Sequence, residues 1–216
     1  MSVWSSLSFV VLASVYLLFG HSSEFAGSFL VKILPLLVLL VLVLRQPDLP
    51  RFLPVALLLS MLGDVLLALD GKNLFVYGLA AFLCSHLAYL QAMRPWLRFR
   101  AWWLLPYAGV AALVMTPMWP GLGAMTLPVL AYMAVILAMS VSTWCSSARN
   151  PWLIAGGLLF ISSDSLLGLN KFWQPLPAAG VWIMLTYYAA QYALVRGFLQ
   201  AREQSSLPAD DQSSPK

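Results

Sequence analysis

Apolar residues in this chain fall into long blocks, and polar residues fall mainly between the blocks. Ile33–Leu44, for example, has neither a charged side chain nor an alternation of apolar with polar positions. Strands of a membrane barrel would alternate over roughly 10-residue segments. Uninterrupted blocks approaching the roughly 20 residues needed to cross a bilayer core predict helices instead. The pattern predicts an all-α polytopic membrane protein with about eight transmembrane helices, at about 4–20, 28–44, 51–69, 74–92, 101–117, 124–143, 151–169 and 177–199. The connections carry breakers: Pro47 and Pro50, Gly71, Pro95, Pro120, Pro151, Pro175 and Pro177. Pro117, Pro120, Gly121, Gly123 and Pro128 interrupt the fifth and sixth spans, so one of them is expected to be short or kinked. Residues 1–202 form the expected helical domain; 203–216 are polar, cannot bury a core, and are expected to be a disordered cytoplasmic tail.

Composition agrees with the pattern. Of 216 residues, 61% are hydrophobic and 9% charged, against about a quarter charged in a soluble domain. The net charge of +4 does not indicate nucleic acid, because the basic residues sit at span ends rather than in a patch. Arg45, Arg51, Arg94, Arg98, Arg100, Arg149, Arg196, Arg202 and Lys216 fall on one side; Lys32, Lys72 and Lys171 fall on the other. The excess of cations marks the cytoplasmic side and places both termini there. Trp102, Trp103, Trp119, Trp152 and Trp173 lie near span ends, as interfacial aromatics do. Met1–Ser8 has no basic residue and no clear cleavage site follows before Glu24, so the first helix is expected to be retained. Cys84 and Cys145 lie in or beside apolar segments without metal-ligand spacing.

The chain also echoes itself. Leu59–Asp70 and Leu159–Asn170 share D-x-L-L-x-L at an offset of 100 residues, on spans running in the same direction. The next helix in each case has a central polar residue, His86 or Gln191. The echo points to two four-helix halves in a parallel repeat.

Ionisable groups inside a membrane are costly, ~2.5–3.5 kcal/mol or more at mid-span, so each needs a reason. Asp64 and Asp164 are each placed about five residues before the outer end of an outward-running helix, roughly 8 Å deep. Lys32 enters at a similar depth, either snorkelling to the interface or neutralising an aspartate. His86, Tyr187, Tyr188 and Gln191 are placed deeper, and the set is expected to line a polar pocket opening outward. Ser60 lies one turn before Asp64, and Ser162 and Ser163 adjoin Asp164, as possible hydrogen-bonding neighbours of the charged groups or a substrate. His21, in the first outer loop, is expected to be bland. Two carboxylates in a low-dielectric pocket tend to divide into one acid and one anion. Such a pair suits hydrolysis through an oxocarbenium-like cation. With His21 and His86 at different depths a zinc site fits poorly, and no G-x-S-x-G elbow supports a serine hydrolase. No metal or cofactor is implied.

Five segments in order carry a resemblance: LVKILPLLVLL around Lys32, SMLGDVLLAL around Asp64, FLCSHLAYL around His86, LLFISSDSLLGLN around Asp164 and TYYAAQYALVRG in the last span. Here the chain resembles the YhhN family of membrane proteins, the transmembrane lysoplasmalogenases. The resemblance implies hydrolysis of the vinyl-ether bond of a lysophospholipid-type substrate to a fatty aldehyde and a glycerophospho-alcohol. It implies catalytic roles for Asp64 and Asp164. Some members carry His where this chain has Gln191, so titration at that position is not required. Lys32 is then a candidate for the lipid phosphate, and His86, Tyr187 and Tyr188 for the chain pocket. Compact loops suggest a bacterial plasma membrane. Two other classes use similar residues: an intramembrane aspartyl protease, of whose G-x-G-D signature only Gly63-Asp64 is present, and a transporter or lipid-binding protein without chemistry, supported by the repeat and the proline-rich spans.

Overall fold

The computed structural model describes residues 3–20, 27–46, 48–69, 74–98 and 100–206. Among these are eight α-helices: α1 (Val3–Val15), α2 (Ser28–Leu44), α3 (Phe52–Ala68), α4 (Phe75–Met93), α5 (Leu104–Leu122), α6 (Thr126–Trp144), α7 (Pro151–Phe172) and α8 (Ala179–Ser206). A π-helical turn, Tyr16–Gly20, prolongs α1. His21, Glu24, Pro47, Asp70, Gly71, Lys72, Lys216 and the segment 207–216 lie outside the described residues. The chain's polar end begins as helix, because α8 runs to Ser206.

Two antiparallel hairpins, α3–α4 and α7–α8, are the most closely packed pairs. Helix α2 lies on α3 and also meets α8, α1 covers α2, and α6 bridges α4 and α7. The shared core includes Leu36, Leu39, Leu53, Leu57, Tyr89, Phe160, Leu194 and Phe198. Helix α5 is peripheral; its Val114, Met115, Met118 and Leu122 form a second cluster with Val129 of α6.

Burial is inverted relative to a water-soluble protein. Ser60, Ser85, His86 and Gln191 are wholly buried, while Leu113 and Leu127 are 76% and 77% exposed. Apolar side chains face outward where lipid is the solvent, and polar ones turn inward to find partners. Three stretches are long and apolar enough to cross a membrane: Phe75–Trp96, Leu104–Trp144 and Pro151–Phe172. Val3–Phe19, Ser28–Leu44 and Phe52–Ala68 are shorter apolar helices. The molecule is an integral membrane protein.

The fifth and sixth elements depart from expectation. The structure continues α5 through Pro117 and Pro120 to Leu122, where a loop was expected. A single 3₁₀ turn, Gly123–Met125, then leads into α6. Gly123 holds φ +50°, a conformation glycine adopts without steric cost. Proline is tolerated here because lipid-bounded helices re-satisfy the freed backbone groups locally. A Cβ at Gly121 would collide with the Phe172 carbonyl oxygen, so this turn of α5 lies directly against the end of α7.

Helix α7 also ends later than expected, at Phe172 rather than near residue 169. The Lys171 ammonium sits 4.7 Å from the Phe75 ring centroid, and the Phe172 ring packs edge-on against Phe75 at 5.9 Å. These contacts cover the last turn. Asp164 therefore lies eight residues before its helix end and Asp64 four before its own. Along the axis these are about 12 Å and about 6 Å, so the offsets from the helix ends differ from the five residues expected of each.

Candidate functional site

Lys32 enters one turn into α2, and Asp64 stands one turn before the end of α3. The Lys32 ammonium lies 3.1 Å from Asp64 Oδ1 and donates at 3.5 Å to the Asp64 backbone carbonyl. Tyr187 of α8 donates its hydroxyl to Asp64 Oδ2 at 2.6 Å. Both carboxylate oxygens are thus occupied, and Asp64 is 2% exposed. An ionised carboxylate taken out of water needs this degree of pairing to persist. Of the two roles open to Lys32, neutralisation is the one observed; its ammonium is directed at Asp64. Tyr188 donates to the Lys32 backbone carbonyl at 2.7 Å, fixing α2 against α8.

Asp164 is held differently. Tyr132 of α6 donates to its Oδ2 at 2.5 Å. His86 Nε2 lies 3.2 Å from the same oxygen and 3.0 Å from the Tyr132 hydroxyl. No described residue hydrogen-bonds Asp164 Oδ1. The His86 ring is fully buried with its Nδ1 unpartnered, edge-on to Phe160 at 4.6 Å. The carboxylate oxygen facing Nε2 is an acceptor, so the ring nitrogen beside it is the one that bears hydrogen. The favoured tautomer therefore carries its hydrogen on Nε2 and donates toward Asp164.

The two carboxylates share one cavity of about 210 Å³. Its polar lining comprises Tyr16, Lys32, Asp64, Ser163, Asp164 and Tyr187; Leu67, Phe82, Leu167, Gly180, Ile183 and Met184 complete the wall. Ser163 turns its hydroxyl to the Ile183 carbonyl at 3.0 Å, tying α7 to α8. Asp164 also lines a second, narrow crevice between α4, α5, α6 and α7, whose other walls are mainly apolar: Phe75, Leu79, Met118, Val129, Met133 and Phe172 among them. Asp164 and Leu167 are the residues common to both linings.

Four residues expected to line this site stand behind it: Ser60, Tyr188, Gln191 and His86, the last reaching it through Asp164. Ser60 does not reach Asp64, whose oxygens are already filled; its hydroxyl pairs with Ser85 at 2.7 Å and accepts from Gln191 Nε2 at 2.9 Å. Ser85 donates on to the Ala56 carbonyl at 2.9 Å, and Tyr89 donates to Gln191 Oε1. This buried chain joins α3, α4 and α8 and contributes nothing to the cavity lining. Tyr188 is likewise absent from that lining. Ser162 faces outward and bonds the Leu158 carbonyl of its own helix at 2.9 Å. Tyr132 and Tyr16 were missed by sequence reasoning. Tyr132 lies in an apolar run with no charged neighbour, and its one signal was a hydroxyl that must find an acceptor once buried. His86 and Asp164 come together, but among the described residues no third His, Cys, Asp or Glu joins them to make a metal-ligand group.

Chemically, the cavity offers one carboxylate neutralised by an ammonium and one with a free oxygen, at the boundary between a polar space and an apolar one. A sequence profile described as the YhhN family matches residues 27–198, a range that includes every one of these groups except Tyr16. A lysoplasmalogenase of Mycobacterium bovis (strain ATCC BAA-935 / AF2122/97) is 35% identical over 162 residues, covering 71% of this chain and 62% of its own. The match thus spans less than two thirds of that relative's length. Lysoplasmalogenase TMEM86B of Sus scrofa is 38% identical over 199 residues, covering 87% of this chain and 83% of its own. Its Homo sapiens counterpart is 36% identical over 151 residues, covering 68% and 62%. No solved structure matches. The chain belongs to the YhhN family.

Proposed function

We propose that this protein hydrolyses the vinyl-ether bond of a lysoplasmalogen or a related lyso-ether lipid, releasing a fatty aldehyde and a glycerophospho-alcohol. The observation that carries the reading is that Asp164 lines both the polar cavity and the apolar crevice. In such a lipid the vinyl ether is the junction between the polar glycerol oxygen and the alkyl chain. A headgroup in the polar cavity and a chain in the crevice bring that junction to Asp164. The names of the relatives point the same way.

The hydrogen bonding supports a division of labour. Asp64 has both oxygens committed to Lys32 and Tyr187, which suits a lasting anion. Asp164 has both its neighbours on Oδ2, which leaves Oδ1 to carry and deliver a proton. Asp164 protonates the alkene carbon distal to oxygen, and the neighbouring carbon becomes an oxocarbenium ion that anionic Asp64 stabilises. Water adds to that carbon and returns a proton to Asp164. The resulting hemiacetal collapses, its C–O bond to glycerol breaking, to an aldehyde and a free glycerol hydroxyl. Each half of this is general acid–base and electrostatic catalysis of a familiar kind.

In this reading all eight helices span the bilayer with both termini in the cytoplasm, as two four-helix halves, in a bacterial plasma membrane. The cavity then opens toward the outer half of the membrane, where a single-chain lipid enters sideways between helices. The test is aldehyde release from a lysoplasmenyl lipid by the detergent-purified protein. Asp164→Asn is expected to lower turnover by about 10²–10⁴-fold, the usual worth of a positioned acid, and Asp64→Asn to lower it as well. Near-wild-type turnover in both folded variants would sink the mechanism; no aldehyde from folded wild type would sink the substrate.

A further inference from the structure

At the other end of the helices from the two aspartates, the α4–α5 and α6–α7 connections meet. Leu97 and Ser146 form an antiparallel bridge. The Arg98 amide donates to the Cys145 carbonyl at 2.6 Å, and the Ser147 amide donates to the Trp96 carbonyl at 2.7 Å. The Arg149 amide donates to the Ser146 carbonyl at 3.2 Å, and Arg98, Arg100 and Arg149 all line a cleft of about 460 Å³. The wall is a run of indoles: Trp102 stacks on Trp103 at 4.0 Å, and Trp103 lies 5.0 Å from Trp144. Among the described residues no carboxylate lines the cleft.

Three other arginines at this end are engaged, while Arg45 and Arg94 stand outside the cleft. Arg202 pairs with Asp48 at 2.9 Å, Arg196 lies over the Trp152 ring at 4.2 Å, and Arg51 over Phe52 at 5.3 Å. The three arginines of the cleft have neither an acidic partner nor a ring beneath them among the described residues. The three side chains are exposed around one hollow, and an anion between them would offset the mutual repulsion of their like charges. Guanidinium groups match phosphate oxygens with paired N–H donors. Indoles favour the headgroup layer, and basic pockets between helices at this membrane face take anionic headgroups.

We propose that this cleft binds a phosphate-type anion, separate from the carboxylate cavity and whatever reaction occurs there. The indole wall suits a lipid-borne phosphate. The experiment uses the full-length protein in a neutral detergent, with dihexanoyl phosphatidylglycerol, dihexanoyl phosphatidylcholine and inorganic phosphate titrated separately by thermophoresis. Saturable binding of the phosphatidylglycerol is expected, weakened about fivefold by Arg98→Gln and roughly twenty-five-fold by Arg98→Gln with Arg149→Gln. Binding of phosphatidylglycerol without inorganic phosphate assigns the site to lipid; binding of both supports a general phosphate site. Equal affinity for phosphatidylcholine overturns the proposal, as does unchanged phosphatidylglycerol affinity in the double variant at an unchanged melting temperature. Arg98→Lys with Arg149→Lys keeps the charge and loses the guanidinium fork, which covers the case of a glutamine variant that does not fold. Wild-type affinity in a folded lysine variant overturns recognition by the guanidinium groups.

Discussion

Replacing Lys32 by methionine would leave Asp64 buried with Tyr187 as its one side-chain donor among the described residues, because the ammonium at 3.1 Å is its sole cationic contact there. Breaking a buried pair from one side typically costs 3–5 kcal/mol, whereas replacing both partners by apolar groups is often neutral. Lys32→Met is therefore expected to lower stability by about 3–5 kcal/mol, and Lys32→Met with Asp64→Leu to regain most of it while remaining inactive. Thermal unfolding in one detergent checks this; a double variant no more stable than the single one would show that the pair is not the unit of stability. Tyr132→Phe isolates the other carboxylate. It removes the 2.5 Å donor to Asp164 Oδ2 without changing ring volume, and a hydrogen bond to a charged group is worth about 1.5–3 kcal/mol. Turnover should fall about 10–100-fold with KM little changed, and unaltered turnover would make Tyr132 a packing residue. At this scale sequence reasoning reached Lys32, Asp64, His86, Ser163, Asp164 and Tyr187, because charge or strong polarity in an apolar helix is visible as a cost. It did not reach Tyr132, since a phenol is ordinary in a lipid-facing run. It set Ser60, Tyr188 and Gln191 in the cavity wall, whereas they pack behind it, since helical spacing along one chain does not show that Ser85 and Tyr89 wait opposite Ser60 and Gln191.

The hairpins that aim these residues are held by reciprocal notches. In α7–α8, a Cβ at Gly156 would meet Leu194 Cγ at 2.7 Å, and a Cβ at Gly197 would meet Leu153 Cγ at 2.7 Å. The motif is Leu-x-x-Gly on each helix, Leu153–Gly156 and Leu194–Gly197, so antiparallel pairing seats each leucine over the other helix's glycine. In α3–α4 the same exchange occurs with one-turn spacing: Gly63 faces Phe82 and Gly78 faces Leu67. Small residues let helices approach closely where lipid supplies no hydrophobic drive between them. Asn150 adds a lock, capping α7 through the Trp152 and Leu153 amides and donating to the Gly197 carbonyl at 3.0 Å. Gly197→Val should push α8 from α7, and with it Tyr187 from Asp64. Overpacking of this kind costs about 1–3 kcal/mol, so a fall of several degrees in melting temperature together with loss of activity is expected. A variant as stable and active as wild type would mean that the hairpin tolerates separation. The helices themselves were legible from apolar blocks, and the boundaries at α5–α6 and α7 were not. Proline reads as a breaker in water, but α5 carries two prolines to its end, and the last turn of α7 is secured by Phe75, which lies far away in the sequence.

For the whole molecule, the placement of Leu113 separates a lipid-facing surface from a water-facing one. It lies midway along α5 and is 76% exposed, while polar Gln191, Ser60 and Ser85 are fully enclosed. On a water-soluble protein, exchanging an exposed leucine for arginine is close to neutral, because the charge is hydrated and little packing is lost. In a bilayer the same side chain at mid-span costs about 2.5–3.5 kcal/mol on insertion scales, and the neighbouring apolar residues cannot hydrate it. Leu113→Phe changes shape and keeps the transfer energy favourable. The expected result is that Leu113→Arg sharply reduces the carbonate-resistant membrane fraction while Leu113→Phe leaves it intact. Because α5 is peripheral and its own cluster is centred on Val114, Met115 and Met118, the arginine acts on insertion rather than on the carboxylate cavity. Whatever Leu113→Arg protein does insert should therefore retain specific activity. An arginine variant that inserts as well as wild type would place this face of α5 against water or against another protein surface, and the outward leucines would then need a different partner from lipid.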